Sequence, residues 1–123
     1  MKYLCLAYEE ERVLNGLSRS EWDALREETL AYVRGLAERG TLLSTHALQS
    51  PRTASTVRVR EGRVSITDGP FAETKEQIGG YFLIEAADFD EALRIAAGWP
   101  SARLGSIEVR PIEEELPLDR RYL

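Results

Sequence analysis

Residues 79–100 read GGYFLIEAADFDEALRIAAGWP, and this stretch is typical of a strand followed by a helix. Residues 81–86 are rich in aromatic and branched side chains, which favour strands. Asp88 is a good N-cap, with Glu91 at the spacing of a capping box, and Pro100 cannot continue a helix. The stretch therefore predicts a β-α unit that ends next to this proline.

A second β-α unit is predicted at the other end of the chain. Residues 2–8 are largely apolar on both alternating faces, which predicts a central strand covered on two sides. Ser18 or Ser20 opens a helix, and Gly40 stops it in a left-handed cap. The apolar stripe of this helix predicts packing against the core and comprises Trp22, Leu25, Thr29, Val33 and Leu36.

Four further strands complete the predicted order β-α-β-β-β-β-α-β. They span residues 42–48, 54–60, 63–67 and 107–111, and Glu61-Gly62 forms a tight hairpin turn between the second and third. This order predicts an α+β domain with a single antiparallel-rich sheet and two helices on one face. We expect the other face to meet water or a second subunit, and its predicted polar side chains are Thr56, Arg58, Arg60, Glu85, Glu108 and Arg110.

Composition excludes several classes of protein. The 123 residues fit one domain, and 16 basic against 21 acidic residues give a net charge of −5, which argues against a nucleic-acid partner. One Cys and one His argue against a cysteine-built zinc site or an HExxH centre, so we expect no metal or cofactor. No stretch is long and apolar enough to span a membrane, and the first residues resemble no signal peptide. We expect a cytoplasmic protein.

The segment 67–80 concentrates charge and turn-forming residues. Asp68 precedes Gly69-Pro70, so it is either a turn former or a carboxylate at a strand end that orients a base or a ligand. Glu73 and Lys75 are either solvated loop residues or ligand-binding groups. The pair Gly79-Gly80 predicts a bulge or a close approach of backbone to a ligand.

His46 is the only histidine and lies late in a predicted strand. It is either an ordinary strand residue or a proton carrier whose tautomer is fixed by a neighbouring carboxylate, with Asp68 as the candidate. In the second case Arg58, Lys75 or Arg110 would hold an anionic part of the substrate.

Residues 67–76, TDGPFAETKE, followed by Gly79-Gly80-Tyr81, resemble the signature of DGPF proteins within the YciI-related (YCII) superfamily. The segments at 1–4, 46–49, 53–58 and 105–111 resemble the same proteins, so the resemblance covers about residues 1–112. We therefore expect one domain over 1–112 and a C-terminal tail over 113–123.

The resemblance implies a ferredoxin-like domain that dimerises sheet against sheet as a dimeric α+β barrel. It also implies an enzyme with a His–Asp pair, in which Asp68 matches the family's aspartate. The histidine of YciI-like proteins lies in the first helix, whereas the histidine here is His46. Relatives are often encoded beside, or fused to, extracytoplasmic-function sigma factors, which implies a functional link to a sigma factor.

Three functional hypotheses remain open at this point. The first is a small enzyme doing acid–base chemistry on a small polar or anionic molecule, with His46 and Asp68 as catalytic residues. Its substrate-binding residues would be Arg58, Glu73, Lys75 and Arg110. The second is a non-catalytic ligand-binding or regulatory module linked to a transcription partner. The third is a structural dimer without a site.

Overall fold

The structure is a computed structural model that describes residues 1–115. The strands are β1 (Lys2–Glu9), β2 (Leu42–Ala47), β3 (Ser55–Arg60), β4 (Arg63–Asp68), β5 (Gln77–Glu85) and β6 (Ser106–Pro111). The helices are α1 (Glu11–Asn15), α2 (Arg19–Glu38) and α3 (Phe89–Gly98), with short 3-10 turns at Pro51–Thr53 and Pro100–Arg103. Residues 112–115 follow β6 outside helix and strand, and the rest of the predicted tail lies outside the described residues.

The main sheet is antiparallel and has the strand order β2-β5-β1-β6. The first strand is central, as its two apolar faces predict. The core of the protein joins one face of this sheet to α2 and α3. The predicted α+β class, with an antiparallel sheet and helices on one face, is therefore confirmed, and the strand order is ferredoxin-like.

The core is built around an aromatic stack. Phe82 of β5 and Trp99 lie face to face, with ring centroids 3.9 Å apart and an interplanar angle of 6°. Tyr32 of α2 meets the Trp99 ring edge-on at 6.0 Å, and its hydroxyl donates to the Ile95 carbonyl at 2.7 Å. These contacts tie both long helices to the centre of the sheet. The other buried members include Tyr3, Cys5, Leu36, Ile84, Ala92 and Ala96.

The helix boundaries agree with the sequence signals. Ser18, rather than Ser20, is the N-cap of α2 and forms a capping box with Glu21. Gly40 has a φ of 72°, which suits a left-handed stop after the helix. The Asp88 side chain accepts a hydrogen bond from the Glu91 amide and so caps α3. Residues 9–16, for which the sequence predicts neither helix nor strand, form in part the short helix α1.

The hairpin β3–β4 forms a separate two-stranded sheet, which corrects the expected single sheet in this detail. Its turn is as predicted, since Glu61 and Gly62 both have positive φ. Thr56, Arg58 and Arg60 therefore do not lie on the open face of the main sheet. One hairpin face carries four exposed apolar side chains, which pair across the strands as Val57 with Ile66 and Val59 with Val64.

The long helix α2 packs less tightly than its stripe predicts. Leu36 is its only buried residue, although the helix has 20 residues. Trp22, predicted to be a core residue, is 44% exposed. The stripe does face the sheet, but towards its N-terminal end the side chains line a cavity instead of filling it.

We expect Gly69→Val to lower the free energy of unfolding by about 1–3 kcal/mol. Gly69 has a φ of 109°, which residues with a side chain rarely adopt, and no atom lies within 4 Å of the position that a Cβ atom would take. The cost is therefore backbone strain, in a loop where the Gly69 amide donates to the Ala54 carbonyl at 2.7 Å. Urea unfolding measures it, with Gly35→Ala in α2 as the control that should gain up to about 1 kcal/mol. An unchanged midpoint for Gly69→Val would show that the loop adapts freely.

Candidate functional site

The only histidine lies on the open face of the main sheet, near its β2 edge. In the pairing of β2 with β5, His46 lies opposite Tyr81 and Thr45 lies opposite Phe82. Because Phe82 points into the core, His46 and Tyr81 lie on the other face of the sheet. His46 Nδ1 is 2.8 Å from the Tyr81 hydroxyl, which also lies 3.3 Å from the Ser44 hydroxyl. The ring is exposed, and within the described chain Nε2 has no hydrogen-bond partner. We call these three residues the imidazole cluster.

A second polar cluster lies at the opposite edge of the same face. The Tyr8 hydroxyl donates to Glu108 at 3.3 Å, and the Arg110 guanidinium forms an ion pair with the same carboxylate. Burial and the Glu108 charge raise the pKa of Tyr8 above its ordinary value. Between the two clusters, Leu4, Leu6 and Leu83 form a partly exposed apolar strip.

The signature segment forms a loop between β4 and β5. The Gln77 side chain donates to the carbonyl oxygens of Ala72 and Thr74 at 2.7 and 3.0 Å, which holds the loop in shape. Phe71 is 80% exposed, and the Arg58 guanidinium lies 5.5 Å from its ring centre. Arg58 therefore contacts the loop from the hairpin.

The loop borders an open groove of about 670 Å³. Its charged lining residues are Glu10, Glu11, Arg12, Arg52, Asp68, Glu73 and Lys75. Three predicted site residues thus share one groove, while His46, Arg58 and Arg110 do not line it. In the described part of the chain no hydrogen bond joins His46 to Asp68, so their pairing stays a prediction.

A cavity of about 510 Å³ lies on the helix side of the main sheet, between α2 and the strands. Its walls are mostly apolar and include Leu14, Trp22, Leu25, Leu30, Val33, Phe82 and Trp99. Glu9 lines this cavity and also a smaller one of about 270 Å³ that it shares with α1. Burial raises the pKa of the Glu9 carboxyl above its ordinary value.

The single thiol is poorly placed for chemistry. Cys5 is fully buried in the core, and burial raises the pKa of its thiol to about 12. Because the thiolate is the nucleophilic form, the thiol stays protonated and unreactive at neutral pH.

Neither a metal cluster nor a membrane span is found in the described chain. No group of three or more His, Cys, Asp and Glu side chains within residues 1–115 is arranged to hold a metal ion. No helix in the same range combines the length and the apolar character needed to cross a membrane.

Two residues of the candidate sites are not predicted from the sequence. Tyr81 was counted only as a strand residue, although its alternation with Phe82 places it beside His46. Glu9 falls just outside the strand predicted over residues 2–8, although it continues the alternation of the buried residues Tyr3, Cys5 and Ala7. In both cases the available signal was the face of the strand on which a polar side chain falls.

The fold and its open polar face define an α+β domain of the ferredoxin-like class. Residues 1–115 match the YCII-related domain family. The chain belongs to this family.

Known proteins that are similar to the chain include a sequence relative and a solved structure. An uncharacterized protein of Rhizobium meliloti is 39% identical over 114 residues, covering 91% of this chain and 92% of that protein. The structure also resembles 5-chloro-2-hydroxyhydroquinone dehydrochlorinase from Burkholderia phenoliruptrix, solved in complex with 2,5-dihydroxybenzoquinone. That likeness has a TM-score of 0.56 at 15% identity, covers 95% of this chain and 98% of the other, and shows a shared fold.

Proposed function

We propose that the protein is a small enzyme that performs acid–base chemistry on a small polar or anionic molecule at the open face of the sheet. The observation that carries this proposal is the 2.8 Å contact between His46 Nδ1 and the Tyr81 hydroxyl. A partner at Nδ1 fixes the orientation of the ring and leaves Nε2 to exchange a proton with a bound molecule.

The chemistry of the imidazole cluster suits proton transfer in either direction. If Nδ1 donates to Tyr81, Nε2 is the base; if Tyr81 donates to Nδ1, Nε2 carries the proton. Ser44 can then supply or accept a hydrogen bond at the same tyrosine oxygen. The dehydrochlorinase with the similar fold removes HCl, which includes loss of a proton from its substrate, and this agrees with the reaction class proposed here.

The other predicted residues take supporting roles in the proposal. Asp68 supports His46 through its negative charge, because Nδ1 already contacts Tyr81 and Nε2 is left for the substrate. This role requires the hairpin end to approach the imidazole when a ligand is bound. The same approach would bring Glu73 and Lys75 to polar parts of the substrate and Arg58 to its anionic groups, while Arg110 holds an anionic group from the open face itself. The alternative is a non-catalytic binding or regulatory module, and the link to a sigma factor belongs to that alternative.

We further propose that two copies associate through the open faces of their sheets. The apolar strip of Leu4, Leu6 and Leu83 on a face without helices supports this assembly. Such a dimer encloses the imidazole cluster and shields it from water, as acid–base catalysis requires. We place the protein in the cytoplasm, where a small metabolite is its partner.

A panel assay in D₂O tests the catalytic proposal. Chlorinated hydroquinones, 2-hydroxy acids and 2-oxo acids are incubated with the protein, and proton exchange or elimination is followed by ¹H NMR. We expect at least one compound to react, and His46→Gln to slow the reaction by about 10²–10⁴-fold because the proton carrier is lost. Tyr81→Phe keeps the ring but loses the hydroxyl, so it should slow the reaction less.

Ser65→Ala on the exposed hairpin is the matched control and should react like the parent protein. A His46→Gln variant that keeps full activity would contradict the proposal. If no compound reacts but some shift the His46 resonances on binding, the non-catalytic module is the better description.

A further inference from the structure

The cavity between α2 and the sheet has the dimensions and walls of a small-molecule site. Its volume of about 510 Å³ lies within the range of ligand pockets in proteins. Trp22 offers a half-exposed aromatic ring at the wall, and the stacked rings of Phe82 and Trp99 belong to the same lining. An apolar stripe left without partners on a 20-residue helix is costly unless another molecule covers it.

One carboxylate stands out in this apolar lining. Glu9 lies at the end of β1, and its side chain occupies the space over Gly79, where a Cβ atom would collide with the carboxylate. In the described chain Glu9 forms no hydrogen bond and no ion pair. A carboxylate that is half-buried without a partner lowers stability, which is typical of a group kept for binding.

Several of the other polar groups around Glu9 are engaged, whereas Arg26 is a second charged group of the lining. The hydroxyls of Thr29 and Thr45 donate to the carbonyls of Leu25 and Tyr81, at 2.8 and 2.9 Å. The remaining titratable or charged lining residues of the two cavities are Glu11, Arg26, His46 and Tyr81. Glu11 is occupied by Ser50 and Arg52, and His46 by Tyr81.

We propose that Glu9 is the recognition carboxylate of a small-molecule site between α2 and the sheet, and that the ligand has an apolar body and one N–H or O–H donor. The donor bonds to Glu9, which can only accept hydrogen bonds when ionised. The body lies against Trp22 and the neighbouring leucines. His46 and Tyr81 also line this cavity, but Glu9 takes no part in the imidazole cluster, so the recognition role of Glu9 goes beyond the proposed function.

Three probes of similar shape test the donor requirement. Phenol carries a hydroxyl donor, benzylamine an ammonium donor, and toluene no donor. In ¹H–¹⁵N NMR titrations of the full chain we expect phenol, benzylamine or both to shift the Gly79 amide and the Trp22 indole. Toluene should bind at least about tenfold more weakly, since it cannot satisfy the carboxylate. Whichever of phenol and benzylamine binds more tightly indicates whether the natural ligand carries a hydroxyl or an amine donor.

Two variants and one control test the residue. Glu9→Gln should weaken binding of the donor probe about tenfold. Gly79→Ala should do the same although Glu9 is still present, because the new methyl group displaces a flexible side chain. Glu27→Gln on the exposed side of α2 should bind like the parent protein. Equal binding of toluene, no shift with any probe, or unchanged binding by Glu9→Gln would overturn the proposal.

Thermal unfolding gives a readout without any ligand. Burial raises the pKa of Glu9 in the folded protein, so folding favours the protonated carboxyl group. Its contribution to stability is therefore present at low pH and is lost as the pH rises through that pKa. Glu9→Gln should therefore unfold at a higher temperature than the parent at pH 7, and the gain should disappear below about pH 4. A less stable variant at pH 7 would assign Glu9 a structural role and contradict the proposal.

Discussion

Replacing Phe82 by alanine is expected to lower the free energy of unfolding by about 3–5 kcal/mol, which is a large part of the stability of a domain this size. Phe82 is fully buried, and its ring stacks on Trp99 at 3.9 Å. Its loss leaves a cavity between β5 and the turn after α3, and neighbouring rings cannot close it without moving the strands.

Urea or thermal unfolding measures this loss, with Phe71→Ala as the matched control. Phe71 is the same residue type but 80% exposed, and the Arg58 guanidinium lies 5.5 Å from its ring centre. Its replacement should cost less than about 1 kcal/mol. Similar losses in the two variants would mean that the aromatic stack is not the centre of the core.

Replacing Leu6 by aspartate is expected to convert the proposed dimer into a monomer. Leu6 lies at the middle of the open face, in the same row as Tyr81 and Glu108 on the neighbouring strands. In a sheet-to-sheet dimer of the variant, each copy would bury one aspartate in the interface. Both carboxylates would lose their hydration without gaining a partner, which disfavours association. In a monomer the same side chain reaches water, so the fold should survive.

Light scattering at micromolar concentration measures the mass. The parent should give twice the chain mass of 13.9 kDa, with an interface larger than about 1,000 Å², and Leu6→Asp should give a single chain. Leu93→Asp on the exposed surface of α3 is the control and should stay dimeric. A monomeric parent would contradict the dimer directly.

The main architecture was predictable because its signals are local. Alternation in β1, the Ser18 and Asp88 caps, and the turn at Glu61-Gly62 each depend on a few adjacent residues. The separation of the hairpin from the main sheet was not predictable, because alternation shows which side chains share a face but not which strand lies alongside. The pairing of strands depends on residues far apart in the chain.

The candidate site was less accessible from the sequence for a related reason. The periodicity of apolar residues correctly predicts that the stripe of α2 faces the sheet. It does not show that Trp22 remains partly exposed outside the core. The sequence favours a carboxylate as the partner of His46, whereas in the structure a tyrosine on the neighbouring strand occupies that position. Distances between side chains on different elements are set by tertiary packing, and a local sequence pattern does not encode them.

The central position of β1 has a consequence for folding during synthesis. Its two partners are β5, which begins at Gln77, and β6, which begins at Ser106, so both leave the ribosome long after it. At a translation rate of about 5–20 residues per second, β1 waits roughly 3–14 s for its first partner. During that time Tyr3, Leu4, Cys5 and Leu6 are exposed without a strand on either side. We therefore expect a chaperone that protects nascent chains to bind this protein at its first strand, while the local hairpin β3–β4 needs no such help.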